Sequence, residues 1–402
     1  MHEIEDVRRK DPKRALGIMS GTSADGIGVA SAVIQGSGLD TRATIEAFRV
    51  YPYAAVIRER LLRLTTSSGS ATEVCLMNYV LGELYAESAL RLCAEAGIDR
   101  EDVDLIGMDG HTIQRVLPPV SVGGVVTGAT LQIGEPAMVA ERTGVATVSH
   151  FRTRDVAVGG EGAPISSYVD YLLFRHPRRT RAVLNIGGIS AMTIAPAGAG
   201  VDAVFAVTGG PGNMVIDAVV QRLSGGAQDY DVDGARARRG AVHRGLLDEL
   251  MAHPFFSRKP PKSAGRELFG AAYVDALMRR RAELGVADDD LVATVTALTT
   301  EGIASQLDRF VRPTVPVDDI VAGGGGVHNP VLMEMLRARV GPLSPLSDFG
   351  IDVDAKEPLM FAIFANETLH GIRGNVPAAT GASRPVVLGT ITPGGRTTPV
   401  RA

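Results

Sequence analysis

Glycines stand beside hydroxyl, amide and carboxylate side chains in a series of short segments. These are Ser20-Gly-Thr-Ser-Ala-Asp-Gly26, Asp109-Gly-His-Thr112, Val158-Gly-Gly-Glu-Gly-Ala-Pro164, Asn185-Ile-Gly-Gly188, Thr208-Gly-Gly-Pro-Gly-Asn213 and Gly323-Gly-Gly-Gly326. A turn stripped of Cβ atoms lets backbone N–H groups approach phosphate oxygens, and interleaved Ser, Thr, Asp and Asn add donors and a carboxylate for a metal ion. One such turn is ordinary chain reversal. The series points to a nucleotide cleft. No GxxxxGK[ST] segment occurs, and no Gly-rich turn opens a βαβ unit with an acid about 20 residues on, so neither the Walker loop nor the dinucleotide fingerprint is present.

Buried strands must deliver these turns. Arg14 to Met19 and Ile27 to Ile34 read as strands on either side of the first turn, Leu105 to Met108 as a strand stub feeding the second, and Arg181 to Ile186, Ala203 to Val207 and Asp319 to Ala322 as strands ending in glycines. Apolar residues at helical spacing predict two helices between Val56 and Ala96, with Gly97 as a C-cap, and further helices from Met214, over 271–284, 291–310 and 330–340. The segment from Leu223 to Pro261 reads as a surface connection with one helix around Val242 to Met251. The order is mixed α/β.

The 402 residues, 45% hydrophobic and 21% charged, suffice for two domains. Lys+Arg 41 against Asp+Glu 45 leaves −4, which gives no basic excess for nucleic acid or an anionic membrane. No apolar run approaches the roughly 20 residues of a membrane span. The charged start Met-His-Glu-Ile-Glu-Asp lacks the apolar core of a signal peptide, so a cytoplasmic location is expected. Cys75 and Cys93 form no metal or disulfide spacing and read as buried thiols.

The segment Gly17-Ile-Met-Ser-Gly-Thr-Ser-Ala-Asp-Gly26 resembles the N-terminal signature of the anhydro-N-acetylmuramic acid kinase family. The resemblance continues through Gln132-Ile-Gly-Glu-Pro136, Phe151-Arg-Thr-Arg-Asp155, Gly159 to Pro164, Asn185-Ile-Gly-Gly-Ile-Ser190, Gly210-Pro-Gly-Asn213, Lys262-Ser-Ala-Gly-Arg-Glu267, Gly323 to Asn329, Asp354 to Ala362 and Asn375 to Arg384. It implies an α/β, two-domain actin-like ATPase (ribonuclease-H-like) fold with an interdomain cleft. The first domain would comprise residues 1–150 plus about 370–402, and the second 151–369.

The implied activity is ATP- and Mg²⁺-dependent phosphorylation of 1,6-anhydro-N-acetylmuramic acid, with water opening the anhydro ring. The implied partners are a small sugar and a second copy in a homodimer. Gly21, Thr22, Ser23, Asp25 and Gly26 would cradle the phosphates, with Asp25 near the metal. Gly187, Gly188, Gly210, Gly212, Asn213, Gly323, Gly324, Gly325 and Asn329 would complete the nucleotide site.

The chain departs from the family on polar positions. The Asp three residues before the Pro of the GPGN turn, which serves as general base toward water, is Thr208 here. The last Asp of a DGxD pattern is Gly28, a Ser-His-Gly-Gln-Thr turn reads Met108-Asp-Gly-His-Thr112, an Asn after Ile-Gly-Gly-Ile-Ser is Ala191, and a Gln in the 159–164 turn is Glu161. Asp109 and Glu161 are candidates to replace the base, and each also reads as an ordinary loop acid. Glu357, at a helix start, is a further catalytic candidate. His111, Thr112, Arg152 and Asp155 are candidates for substrate contact, with a bracing role open for His111 and Asp155. Three outcomes follow: an anhydrosugar kinase with a relocated base, an enzyme for a different small molecule, or a non-catalytic binder.

Overall fold

The computed structural model describes residues 2–65 and 69–395, and the chain packs as two units. The first unit comprises residues 1–173, 354–377 and 382–402, and the second 174–353 with 378–381. Residues 151–173 and 354–369 thus pack with the first unit, where the sequence placed them in the second. The reason is the helix Lys356–Leu369, almost wholly buried, whose apolar length lies on the first unit's sheet.

That sheet begins with β1 (Lys13–Met19), β2 (Gly26–Gln35) and β3 (Arg42–Pro52) in antiparallel order. β4 (Leu105–Asp109) lies parallel to β1 on its other side. A separate hairpin, β5 (His111–Val122) and β6 (Val125–Ile133), follows, and then β7 (Thr147–Ser149) lies parallel to β4. The helix Ala71–Ala96 is capped at its start by the Ser70 side chain and ends at Gly97, in the left-handed conformation. Its buried face, Met77, Leu81, Tyr85 and Leu92, packs with Leu16, Ile18 and Ile106 of the strands.

Gly17 and Gly107 are register partners on β1 and β4. A Cβ at Gly17 would overlap the Pro358 carbonyl oxygen, and one at Gly107 the Phe361 carbonyl. Two facing glycines therefore let the backbone of Lys356–Leu369 sit directly on the sheet. Phe361 and Phe364 pack against Phe151 with ring centroids 5.6 Å away in each case.

The second unit has β8 (Arg181–Ile186), β9 (Ile189–Ala195) and β10 (Phe205–Pro211) in antiparallel order, then β11 (Asp319–Gly323) and β12 (Ser344–Pro345) parallel to β8. Its strand order, β10-β9-β8-β11-β12, repeats that of the first sheet, β3-β2-β1-β4-β7. The first sheet is completed by β13 (Thr390–Thr392), antiparallel to β7. Three antiparallel strands followed by two parallel ones, twice over, is the ribonuclease-H-like arrangement of an actin-like ATPase.

The helix Asp288–Gln306 is buried along most of its length against Val207, Val219 and Phe256. The segment 223–261 is more ordered than a surface connection. It holds the helices Ala235–Arg239, Arg244–Met251 and Pro254–Ser257 and buries Leu246, Leu247, Phe255 and Phe256. Its polar composition hid short helices that each bury only one or two side chains. Among the described residues no helix is long and apolar enough to cross a membrane.

Candidate active site

In each unit the glycine turns lie at the carboxyl ends of parallel strands, the edge where open α/β sheets bind ligands. In the first unit these turns follow β1, β4 and β7. The β1–β2 turn holds Gly21, Thr22, Ser23, Asp25 and Gly26, and Ala24 within it is fully buried with a left-handed φ of 56°. A non-glycine residue in that region is backbone strain held by its surroundings. Asp25 is mostly exposed, 3.8 Å from the Arg58 guanidinium. Among the described residues no three His, Cys, Asp or Glu side chains gather to hold a metal ion, so Asp25 is a single carboxylate in the β1–β2 turn.

Asp109, at the end of β4, is buried and accepts from Arg152 Nη2 at 2.7 Å and Nε at 3.1 Å. The same guanidinium donates to the Gly162 carbonyl at 3.0 Å. Asp155 is fully buried, accepting from the Gly162 N–H at 2.9 Å and from Asn375 Nδ2 at 2.7 Å. Arg152 and Asp155 thus hold the 159–164 turn in place. Glu161 lies half-buried in that turn, and its carbonyl accepts from Arg115 at 2.9 Å.

His111 is buried, its Nδ1 2.9 Å from Ser20 Oγ. Tyr53 donates to the same oxygen at 2.9 Å, so Ser20, His111 and Tyr53 form one hydrogen-bonded group. His111 is therefore a tie between the β4 and β1 turns. Thr112 accepts from Gln132 at 3.0 Å, and Glu357 sits half-buried in the first turn of Lys356–Leu369.

In the second unit three turns meet. The Gly212 N–H donates to the Gly188 carbonyl at 2.8 Å, and the Asn213 N–H donates to the Gly187 carbonyl at 2.8 Å. Gly324 has a left-handed φ of 80°, and a Cβ there would lie 2.8 Å from the Ile186 carbonyl oxygen. A Cβ at Gly326 would lie 3.0 Å from Asn213 Oδ1. Gly210, also left-handed at 104°, presses on the Phe256 ring. Asn329 caps the helix Pro330–Val340, accepting from the N–H groups of Val331 and Leu332 at 3.1 Å, so this side chain is committed to a cap.

Other glycines in these turns are not required by the fold. A Cβ at Gly21 would find nothing nearer than 3.6 Å, and one at Gly187 or Gly325 nothing nearer than 3.7 Å; none of the three has a left-handed φ. Bare backbone where an alanine would fit leaves room for a ligand to approach the N–H groups.

Thr208 lies buried on β10, and its hydroxyl donates to the Lys262 carbonyl at 2.7 Å. Its cross-strand partner is Ala191, with a register shift between Thr208 and Gly210. Two of the positions read from the sequence as departures from the family pattern therefore face each other. Gly28 and Asp109 both pair with Met19, from opposite sides, so a second pair of altered positions shares one row of the first sheet.

The Lys262 ammonium is buried, donating to the carbonyls of Phe255 at 2.7 Å and Arg258 at 2.9 Å and lying 4.3 Å from the Phe255 ring centre. Burial, with Arg258 and Arg309 adding repulsion, pushes it down to about 7. Neither the pairing of Arg152, a candidate for substrate contact, with Asp109 nor the burial of Lys262 had a sequence signal.

The family model for anhydro-N-acetylmuramic acid kinase matches residues 13–394. The chain belongs to the anhydro-N-acetylmuramic acid kinase family. The anhydro-N-acetylmuramic acid kinase of Caldanaerobacter subterraneus subsp. tengcongensis is 44% identical over 394 residues, covering 97% of this chain and 100% of that relative. The anhydro-N-acetylmuramic acid kinase of Salinibacter ruber is 40% identical over 395 residues, with 97% and 99% covered. A solved structure of component A of the (R)-2-hydroxyglutaryl-CoA dehydratase of Acidaminococcus fermentans aligns with a TM-score of 0.40 at 13% identity, over 89% of this chain and 99% of that one.

Proposed function

We propose that this member of the anhydro-N-acetylmuramic acid kinase family is a cytoplasmic phosphotransferase that uses Mg-ATP on a 1,6-anhydro amino sugar, at a rate limited by the group at position 208. The observation that carries the nucleotide half is the set of bare glycines, Gly21, Gly187 and Gly325, whose missing side chains the fold does not demand. Backbone N–H groups there, with the Thr22 and Ser23 hydroxyls, are suited to phosphate oxygens, and Asp25 to a phosphate-bound Mg²⁺. Mg-ATP, when bound, supplies the phosphoryl group and much of the charge neutralisation its transfer requires.

The base is the altered part. A carboxylate takes a proton from water near neutral pH, whereas the Thr208 hydroxyl already gives its own proton to the Lys262 carbonyl. Asp109 accepts from Arg152 at 2.7 Å, so its carboxylate is committed to that pair. General-base help is worth on the order of 10²- to 10⁴-fold, so ring opening by water should be slowed by that range.

The test is mass-spectrometric detection of N-acetylmuramic acid 6-phosphate from 1,6-anhydro-N-acetylmuramic acid and Mg-ATP, with wild type and with Thr208→Asp. Slow product from wild type and faster product from the variant would support the reading. No product from either would overturn it. That result would favour a second reading, in which the acceptor is a different small molecule; the paired changes Thr208/Ala191 and Gly28/Asp109 are the observation behind it.

A further inference from the structure

At the outer start of the 158–164 turn the first unit holds a cavity of about 410 Å³ between the helix Thr153–Ala157 and the segment 373–387. Arg154, Arg373 and Arg384 line it, and no Asp or Glu does. The rest of the lining is apolar, Val158, Pro385 and Val386 included. The volume falls within the range of about 300–1,000 Å³ typical of small-molecule sites.

Three cations around one cavity are unusual in a chain with 41 Lys+Arg against 45 Asp+Glu. Some exposed arginines elsewhere find carboxylates, Arg142 on Glu83, Arg238 on Glu334 and Arg280 on Glu249, while others, Arg42, Arg244 and Arg279 included, make no ion pair among the described residues. Among the described residues the Arg373 and Arg384 guanidinium groups make no ion pair or hydrogen bond, and Arg154 donates only to the Val387 carbonyl, at 3.2 Å. All three arginines are exposed, a bound anion would meet three positive charges, and the guanidinium fork matches phosphate oxygens.

The walls are built rather than loose. Asn375 donates to Asp155 at 2.7 Å and accepts from the Val386 N–H at 2.6 Å, and the Ser383 N–H donates to the Val158 carbonyl at 2.9 Å. Arg152, on the same stretch of chain, turns to Asp109 instead, so the cavity and the β4 turn are separate places.

We infer that this cavity binds a small phosphate monoester, its phosphate held by Arg154, Arg373 and Arg384 and its body on the apolar lining. The probe is glucose 6-phosphate, with glucose as its uncharged control, titrated calorimetrically into the full chain. Glucose 6-phosphate should bind wild type and bind the Arg373→Ala/Arg384→Ala double variant at least about tenfold more weakly, since hydrogen bonds to charged groups are lost. Both side chains lack protein partners, so the double variant should melt no lower than wild type. An Arg373→Lys variant, which keeps the charge, should retain most of the binding. Phosphate held by the glycine turns would survive the double substitution, so equal affinity in wild type and double variant would overturn the inference. Binding of glucose as tight as that of glucose 6-phosphate, or no binding of either, would overturn it too.

Discussion

In the proposed reaction the chemistry turns on the side chain at position 208, because a threonine hydroxyl differs from a carboxylate in what it can do with a proton. Restoring the acid by Thr208→Asp should raise the rate of anhydrosugar phosphorylation on the order of 10²- to 10⁴-fold, measured as single-turnover product formation. Lys262, beside it, makes a separate prediction. Its amine titrates at about 7 in the fold and near its ordinary value of 10.5 when the chain is unfolded. Between those values the unfolded chain binds the extra proton, so stability rises with pH; the penalty is full below about 7 and gone above about 10.5. Lys262→Met should flatten the rise of the urea midpoint between about pH 7 and 10. An unchanged slope would mean that the carbonyls of Phe255 and Arg258 keep the amine charged. The sequence showed Thr208 as a departure, since type and position suffice for that. It could not show that Thr208 faces Ala191 or that the Lys262 carbonyl takes its proton, because those partners come from another strand and from a loop far along the chain.

At the scale of the turn and strand, the glycines divide into two classes that sequence alone treats alike. Gly324 is left-handed and crowded by Asn185 and Ile186, so Gly324→Ala should lower stability by about 1–3 kcal/mol, read as a lower denaturation midpoint. Gly187 has ordinary backbone angles and room for a methyl group, so Gly187→Ala should fold with a change within about 1 kcal/mol and still lose affinity for Mg-ATP. Equal nucleotide binding by Gly187→Ala and wild type would show that this turn is scaffold. The glycine turns and the strands β1, β2, β4, β8, β10 and β11 were legible because short apolar runs ending in glycines have few other readings. β3, the β5–β6 hairpin, β7, β9, β12 and β13 were not identified: β3 is buried at Tyr51 and partly exposed elsewhere, and Val122, Val125 and Val126 at the hairpin tip lie 66–71% exposed, so neither β3 nor the hairpin carries the continuous buried run that marked the strands that were read.

At the scale of the whole molecule, two units repeat one strand order, and the chain returns to the first after building the second. The return is structural: Lys356–Leu369 covers the Gly17/Gly107 row, and Lys356 forms a buried ion pair with Asp170 at 2.6 Å. A chain ended at Val353 should therefore fail to give soluble protein, because it bares the apolar face of the first sheet, whereas the full chain should express and melt cooperatively. Expression yield and thermal melting decide this, and a soluble, cooperative 1–353 fragment would contradict the role given to that helix. Local residue order by itself determined the glycine-ended strands, the α/β class and the family, since each depends on runs of a few neighbouring residues. Tertiary structure decided the rest: which unit 151–173 and 354–369 join, which glycines are crowded and which are bare, that Asp109 is held by Arg152, and that three arginines share a cavity. Each of those depends on residues far apart in the chain coming within a few ångströms, and that proximity is set by packing rather than by local sequence.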